Sequence, residues 1–172
     1  KVMIQLRKRL TAMEKMAEIN TALLQLKKNT VESAIIADAN VHNLAFIRRW
    51  ISSAMKKQGF APDDISPIKV SVTEHCENII KHAYADKPGK VEIIIRLDYP
   101  RAGITVVDSG PAFDMTGYKP RDISKRIKEG IGGNMGIKTI MTLCTEVKYR
   151  RVKNRNENTF IIKAKKTGKV KK

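Results

Sequence analysis

The stretch Val70–Tyr84, V-S-V-T-E-H-C-E-N-I-I-K-H-A-Y, has to satisfy two surroundings at once, and this constrains the fold more than any other segment. Ile68, Val72, Cys76, Ile79 and Ala83 recur at steps of three and four, which draws an apolar stripe along one side of a helix. Glu74 and Asn78 lie four apart, about half a turn round from that stripe, and stack on a second face. The stripe needs a core to cover it. The polar pair needs water, a partner or a ligand. Asn offers an uncharged oxygen to a hard cation and Glu can accept a proton, a combination suited to a metal-dependent phosphate site. Such a pair is more often a plain solvated face, so its meaning depends on what the rest of the chain brings beside it.

A chain of 172 residues suits one domain with some surplus, and 42% hydrophobic residues allow an ordinary core. Aromatics are only 5%, so that core is mostly aliphatic. There is no apolar run long enough to cross a bilayer and no secretory leader. The first residue is Lys1 rather than Met, which leaves room for sequence, including a fused domain, upstream. Cys76 and Cys144 form no C-x-x-C pair, as expected for buried free thiols in a reducing, cytoplasmic compartment. His42, His75 and His82 have no metal-ligand spacing, so no zinc site is expected. The net charge of +17 calls for an acidic partner: nucleic acid, an anionic membrane surface, a nucleotide or an acidic protein. Nucleic acid is disfavoured, because no aromatics interleave the basic residues and no base-reading motif is present.

Along the chain, Met3, Leu6, Leu10, Met13, Ala17, Asn20 and Leu24 alternate steps of three and four over residues 1–27. That pattern fits a coiled-coil seam or connector, with Asn20 as a register-setting polar position, and equally a single helix packed on the domain. Val31–Ala37 reads as an edge strand. Asp38 or Asn40 can cap a helix over about 41–57, with Leu44, Ile47, Ile51 and Met55 as its core stripe. Ala61-Pro62-Asp63-Asp64 starts the helix that ends near Tyr84. Val91–Leu97 and Ile104–Val107 form a hairpin around a loop at 98–103, and the second strand runs into Asp108-Ser109-Gly110-Pro111. Gly117–Ile131 is polar and basic, with one short helix at Asp122–Lys128, and reads as a mobile loop. Gly130–Gly136 opens a helix over Ile137–Leu143. Strands at Thr145–Arg151 and Thr159–Lys165 follow. The clustering predicts an α+β two-layer sandwich, with helices on one face of a mixed sheet and an extra N-terminal helix. The expected parts are a helix at 1–30, a domain at 31–166 and a basic tail at 167–172.

Three features therefore line up: Glu74 and Asn78 on a helix, Asp108-x-Gly110 at a strand end, and a glycine-rich run just before a helix. A glycine-rich helix start lets backbone N–H groups approach phosphate oxygens, and the helix dipole favours the anion. An Asp at a strand end can accept a hydrogen bond from an exocyclic amine. Taken singly, the Asp motif is an ordinary turn and the glycine run a flexible loop.

The motifs T-E-H-C-E-N-I-I-K-H-A-Y, D-S-G-P-A-F-D and G-I-G-G-N-M-G-I, in this order, resemble the Bergerat-fold (GHKL) ATP-binding domains of histidine kinases, gyrase and chaperone ATPases. Within that group the chain is most similar to bacterial anti-sigma-factor serine kinases and the related domains of partner-switching regulators. The resemblance spans about residues 31–165. It implies that Asn78 ligates the Mg²⁺ bridging the ATP phosphates and that Glu74 is the general base toward a serine hydroxyl. Glu77 is the competing acid, but the family spacing is Glu-x-x-x-Asn. The resemblance further implies that Asp108 binds the adenine amine and that Gly110 lets the base pass close. Gly132, Gly133, Asn134, Met135 and Gly136 would shape the phosphate cradle. Residues 117–131 would be a lid, with Arg121, Lys125 or Arg126 facing the γ-phosphate or a partner, and Thr159 would sit near the nucleotide. Asn134 stands where the family often has Gly, and Met115 where it often has Pro.

The implied activity is an ATP- and Mg²⁺-dependent protein serine kinase acting on an anti-anti-sigma, STAS-like partner, able also to hold a sigma factor and inclined to form a homodimer. The alternative is an ATP-binding switch that catalyses weakly inside a larger signalling protein. A histidine kinase fits less well, because residues 1–27 contain no phospho-accepting histidine.

Overall fold

The computed structural model describes residues 2–117 and 135–164. Most of the lid segment, the cations Arg121, Lys125 and Arg126, the cradle residues Gly132, Gly133 and Asn134, and the basic tail at 167–172 lie outside the described residues. The chain divides into two units, Lys1–Val31 and Glu32–Lys172.

The first unit is one helix, α1 (Val2–Asn29). Leu10 and Met13 of the heptad seam are exposed, as are Met16 and Ile19, so the middle of the seam is uncovered within this unit. No helix among the described residues is long and apolar enough to cross a membrane.

The second unit is built on a five-stranded sheet: β1 (Val31–Asp38), β2 (Lys90–Asp98), β3 (Arg101–Asp108), β4 (Glu146–Val152) and β5 (Arg155–Lys163). The strand order is β1-β2-β3-β5-β4, so β5 inserts between β3 and its own hairpin partner. The pairings β2–β3, β3–β5 and β4–β5 are antiparallel. The β2–β3 pairing continues to Asp98↔Arg101, so the expected loop at 98–103 contracts to Tyr99–Pro100. Leu97 and Ala102, paired and fully buried, explain why: ending the ladder earlier would leave both facing water.

Helices cover one face. α2 (Val41–Lys57) begins at Asn40, whose side chain accepts from the Asn43 N–H at 3.1 Å. It buries Leu44, Ile47, Ile51 and Met55. α3 (Pro62–Asn78) starts with proline, where no N–H is needed, and with Asp63 and Asp64 at the positive end of the helix dipole. It continues into a π-turn at Ile79–Ala83, closed by the Tyr84 N–H on the Ile79 carbonyl at 2.9 Å. The neighbours Ile79 and Ile80 are both buried there, in a turn wider than that of an α-helix. α4 (Met135–Leu143) buries Ile137 and Ile140. Beneath the helices lie Ile93, Ile95, Leu97, Ala102, Ile104, Val106 and Phe160, all 0–1% exposed. Burying each large side chain contributes roughly 1.5–3 kcal/mol, which makes this layer the chief stabilising term.

The opposite face is laced with ion pairs: Arg96–Glu32 at 3.0 Å, Arg101–Glu146 at 3.2 Å, Arg150–Glu157 and Arg155–Glu92.

Candidate active site

The polar face of α3 comes close to the N-terminal turn of α4 at Gly136. A Cβ placed on Gly136 would stand 2.6 Å from Glu74 Oε2 and 3.8 Å from Asn78 Nδ2. Any other residue at 136 would have to displace the Glu74 carboxylate. Glu74 and Asn78 are half-buried, and among the described residues neither side chain makes a hydrogen bond or ion pair. Glu77, the competing acid, instead faces outward and pairs with Lys81 at 3.2 Å. The acid brought to the glycine helix is Glu74.

Further along the same helix the second motif docks. A Cβ on Gly110 would meet the Ala83 Cβ at 2.6 Å and Asp108 Oδ1 at 3.0 Å. From Glu74 to Ala83 is nine residues, roughly 13 Å at 1.5 Å per residue. The α3–π-turn segment therefore joins two chemically distinct ends, one with a free carboxylate and amide, the other with a buried aspartate.

Asp108 is 4% exposed. Its Oδ1 accepts from the Gly110 N–H at 2.8 Å and from Asn156 Nδ2 at 2.9 Å, and among the described residues Oδ2 accepts none. The Ser109 N–H donates to the Tyr84 hydroxyl at 3.0 Å, and that hydroxyl donates to the Lys90 carbonyl at 2.7 Å. Gly89 lies flat against the Tyr84 ring, where a Cβ would stand 2.5 Å from its edge. Met115, at the position where proline is common, is 1% exposed and anchors the chain just after this turn. Phe113 is exposed.

Thr159 is not brought to this cluster. Asn158 and Phe160 on either side of it are buried beneath the helices, which turns Thr159 to the opposite face of the sheet, where its hydroxyl lies 2.8 Å from that of Thr105. The polar residues that β5 sends to the helical face are Asn156 and Asn158, both buried, and Asn158 Oδ1 has no partner among the described residues. The strand begins at Arg155 rather than at Thr159, so residues expected in a connecting loop are paired. The sequence does carry a signal for this. Asn156, Asn158, Phe160 and Ile162 share one parity, so the two amides are in phase with the buried stripe.

Between Glu74 and Asn78 the chain turns inward. His75 packs edge-on against Phe160, with centroids 5.3 Å apart, and burial depresses its pKa to about 3. Burial, with the Asp108 and Glu77 carboxylates adding, pushes the Cys76 thiol up to about 12. Both are core groups and stay uncharged near neutrality. No group of three or more His, Cys, Asp or Glu gathers to hold a metal among the described residues. A divalent cation held through Asn78 would therefore need ligand oxygens for most of its shell, and the neutral Asn78 oxygen fits a hard cation already carrying phosphate.

A two-layer sandwich with Gly110 and Gly136 seated at two points along one helical segment fits a class of nucleotide-binding domain. The chain belongs to the family described as histidine kinase-like ATPase domain, which matches residues 37–162. It is 34% identical over 113 residues to a protein named serine-protein kinase RsbW from Bacillus cereus, covering 63% of this chain and 71% of that one. A protein of the same name from Bacillus thuringiensis subsp. konkukian matches at the same identity and coverage. Among solved structures, the RsbU and RsbW domains of Rv1364c from Mycobacterium tuberculosis share the fold, with a TM-score of 0.55 and 17% identity. That match covers 78% of this chain and 32% of the other.

Proposed function

We infer that this chain is an ATP- and Mg²⁺-dependent protein serine kinase of the anti-sigma-factor type. Its substrate is an anti-anti-sigma, STAS-like protein, and it also holds a sigma factor. The observation that carries the reading is the seating of Gly136 against Glu74 and Asn78, with the buried Asp108 at the other end of the same helical segment. Similarity to proteins named serine-protein kinase supports the choice of reaction within the family.

Phosphoryl transfer asks a protein mainly to position groups and balance charge. When bound, Mg²⁺ would supply positive charge that offsets the charge of the phosphates. Asn78 supplies a neutral oxygen to hold it there. The N-terminal turn of α4 offers backbone N–H groups and a positive dipole end to the phosphates. Asp108 Oδ2 accepts from the exocyclic amine of the base. Glu74, unpaired and beside the phosphate end, takes the proton from the attacking serine hydroxyl, the one step that needs a base.

The ligand half of this reading is tested by melting the protein with and without Mg²⁺-ATP. At a ligand concentration of 100 Kd, binding stabilises the folded state by about 2.7 kcal/mol. The upward shift is expected in wild type and in Glu74→Ala and is expected to vanish in Asn78→Ala. A shift retained in Asn78→Ala would remove Asn78 from the Mg²⁺ site.

A further inference from the structure

Asn156 lies outside all three sequence motifs, yet it makes more polar contacts at the Asp108 end of the site than any motif residue there. Its Nδ2 donates to Asp108 Oδ1 at 2.9 Å, to the Pro111 carbonyl at 3.0 Å and to the Gly110 carbonyl at 3.3 Å. Its Oδ1 accepts from Arg151 Nη1 at 2.6 Å and lies 3.0 Å from the Tyr149 hydroxyl. Arg151 also donates to the Gly110 carbonyl at 3.3 Å. The amide is 2% exposed and saturated on both sides. An arginine can only donate, so the atom facing Arg151 must be the amide oxygen, and the NH₂ must face Asp108.

This fixes the carboxylate. Two donors, the Gly110 N–H and Asn156, hold Oδ1, which sets the plane of the group and leaves Oδ2 as the acceptor. Adenine presents an amine where guanine presents a carbonyl, so a carboxylate fixed as acceptor rewards the first and repels the second. If Asp108 lost the donors on Oδ1, it could turn, and the preference would relax.

We propose that Asn156, oriented by Arg151 and Tyr149, is the positioning residue for base selectivity: it holds Asp108 and the Gly110–Pro111 turn so that one carboxylate oxygen always faces the amine of the nucleotide. The proposal rests on the reading of the site as an ATP site. Asn156 acts through Asp108 and need not touch the ligand.

The test is direct titration of ATP and of GTP, each with Mg²⁺, against wild type, Asn156→Ala, Tyr149→Phe and the opposite-face control Thr159→Val. Wild type is expected to prefer ATP. Asn156→Ala is expected to lose about tenfold or more in ATP affinity while GTP affinity stays within about twofold, so the ratio collapses. Tyr149→Phe removes one hydroxyl without a cavity and is expected to cut the ratio about threefold. Thr159→Val is expected to leave the ratio unchanged. A merely structural role would weaken both nucleotides in parallel or lower only the melting temperature, and either result overturns the proposal. If Asn156→Ala does not fold, an unchanged ratio in folded Tyr149→Phe overturns it. Wild type binding neither nucleotide would overturn the ATP reading, and the proposal with it. Wild type preferring ATP beside an unaltered Asn156→Ala would overturn this proposal alone.

Discussion

His75 sits between the proposed base and the buried Cys76, and its two ring nitrogens have no partner among the described residues. Burial holds it neutral, with a pKa of about 3 against an ordinary value of 6.5. The folded state therefore binds fewer protons than the unfolded state between those values. Its contribution is intact above pH 6.5 and is lost as pH falls toward 3, at a limiting slope of about 1.4 kcal/mol per pH unit. Replacing His75 with Leu keeps the contact with Phe160 apolar and removes the titration. Melting curves from pH 7 to pH 5 are expected to fall less steeply for His75→Leu than for wild type. Equal slopes would mean that the imidazole is hydrated or paired in solution. In the sequence His75 reads only as a histidine lacking metal-ligand spacing. Its burial follows from its position, one residue before Cys76 on the apolar side, and becomes plain once Phe160 is known to lie opposite.

At the scale of elements, the site depends on how α4 meets α3. Helix propensity and function should move in opposite directions at Gly136. Alanine favours a helix by about 1 kcal/mol over glycine, so Gly136→Ala is expected to keep or raise the melting temperature. Its Cβ would nevertheless stand 2.6 Å from Glu74 Oε2, and the carboxylate must move. Because small displacements of a reacting group are costly, phosphoryl transfer is expected to fall by about tenfold or more. A variant both stable and fully active would show that Glu74 need not occupy this position.

The same scale explains what the sequence can reveal. α2 and the β2–β3 hairpin are legible because each has one apolar face with a clean period, and proline and two aspartates mark the start of α3. The π-turn is not, because an α-helical stripe through Ile79 and Ala83 accounts for the residues equally well; only burial of Ile80 exposes the difference. The start of β5 is hidden because Asn156 and Asn158 are polar, and polar residues between basic ones read as loop. Their pairing is visible only in the register, where Asp108 stands opposite Asn156. Glu74, Asn78, Asp108 and Gly110 are recognisable as motif residues, whereas Asn156, Arg151 and Tyr149 converge only through the fold.

For the whole molecule, the fold divides its labour between two faces of one sheet. One face carries an aliphatic core and, along α3, the groups suited to a nucleotide. The other carries paired charges, each pair worth about 0–1 kcal/mol, and keeps the sheet solvated rather than sticky. The net charge of +17 remains after those pairs are made, and it suits both a polyphosphate ligand and an acidic protein partner. The proposal that joins fold, site and partner is that this chain moves a phosphoryl group from ATP to a serine, with Glu74 as the base. The measurement that tests it most directly is transfer from γ-labelled ATP, with Mg²⁺, to a purified STAS-domain protein, comparing wild type with Glu74→Ala. Label is expected on the STAS protein with wild type, and with Glu74→Ala a rate lower by about a hundredfold or more although ATP still binds. No transfer by wild type that binds ATP, or undiminished transfer by Glu74→Ala, would contradict it.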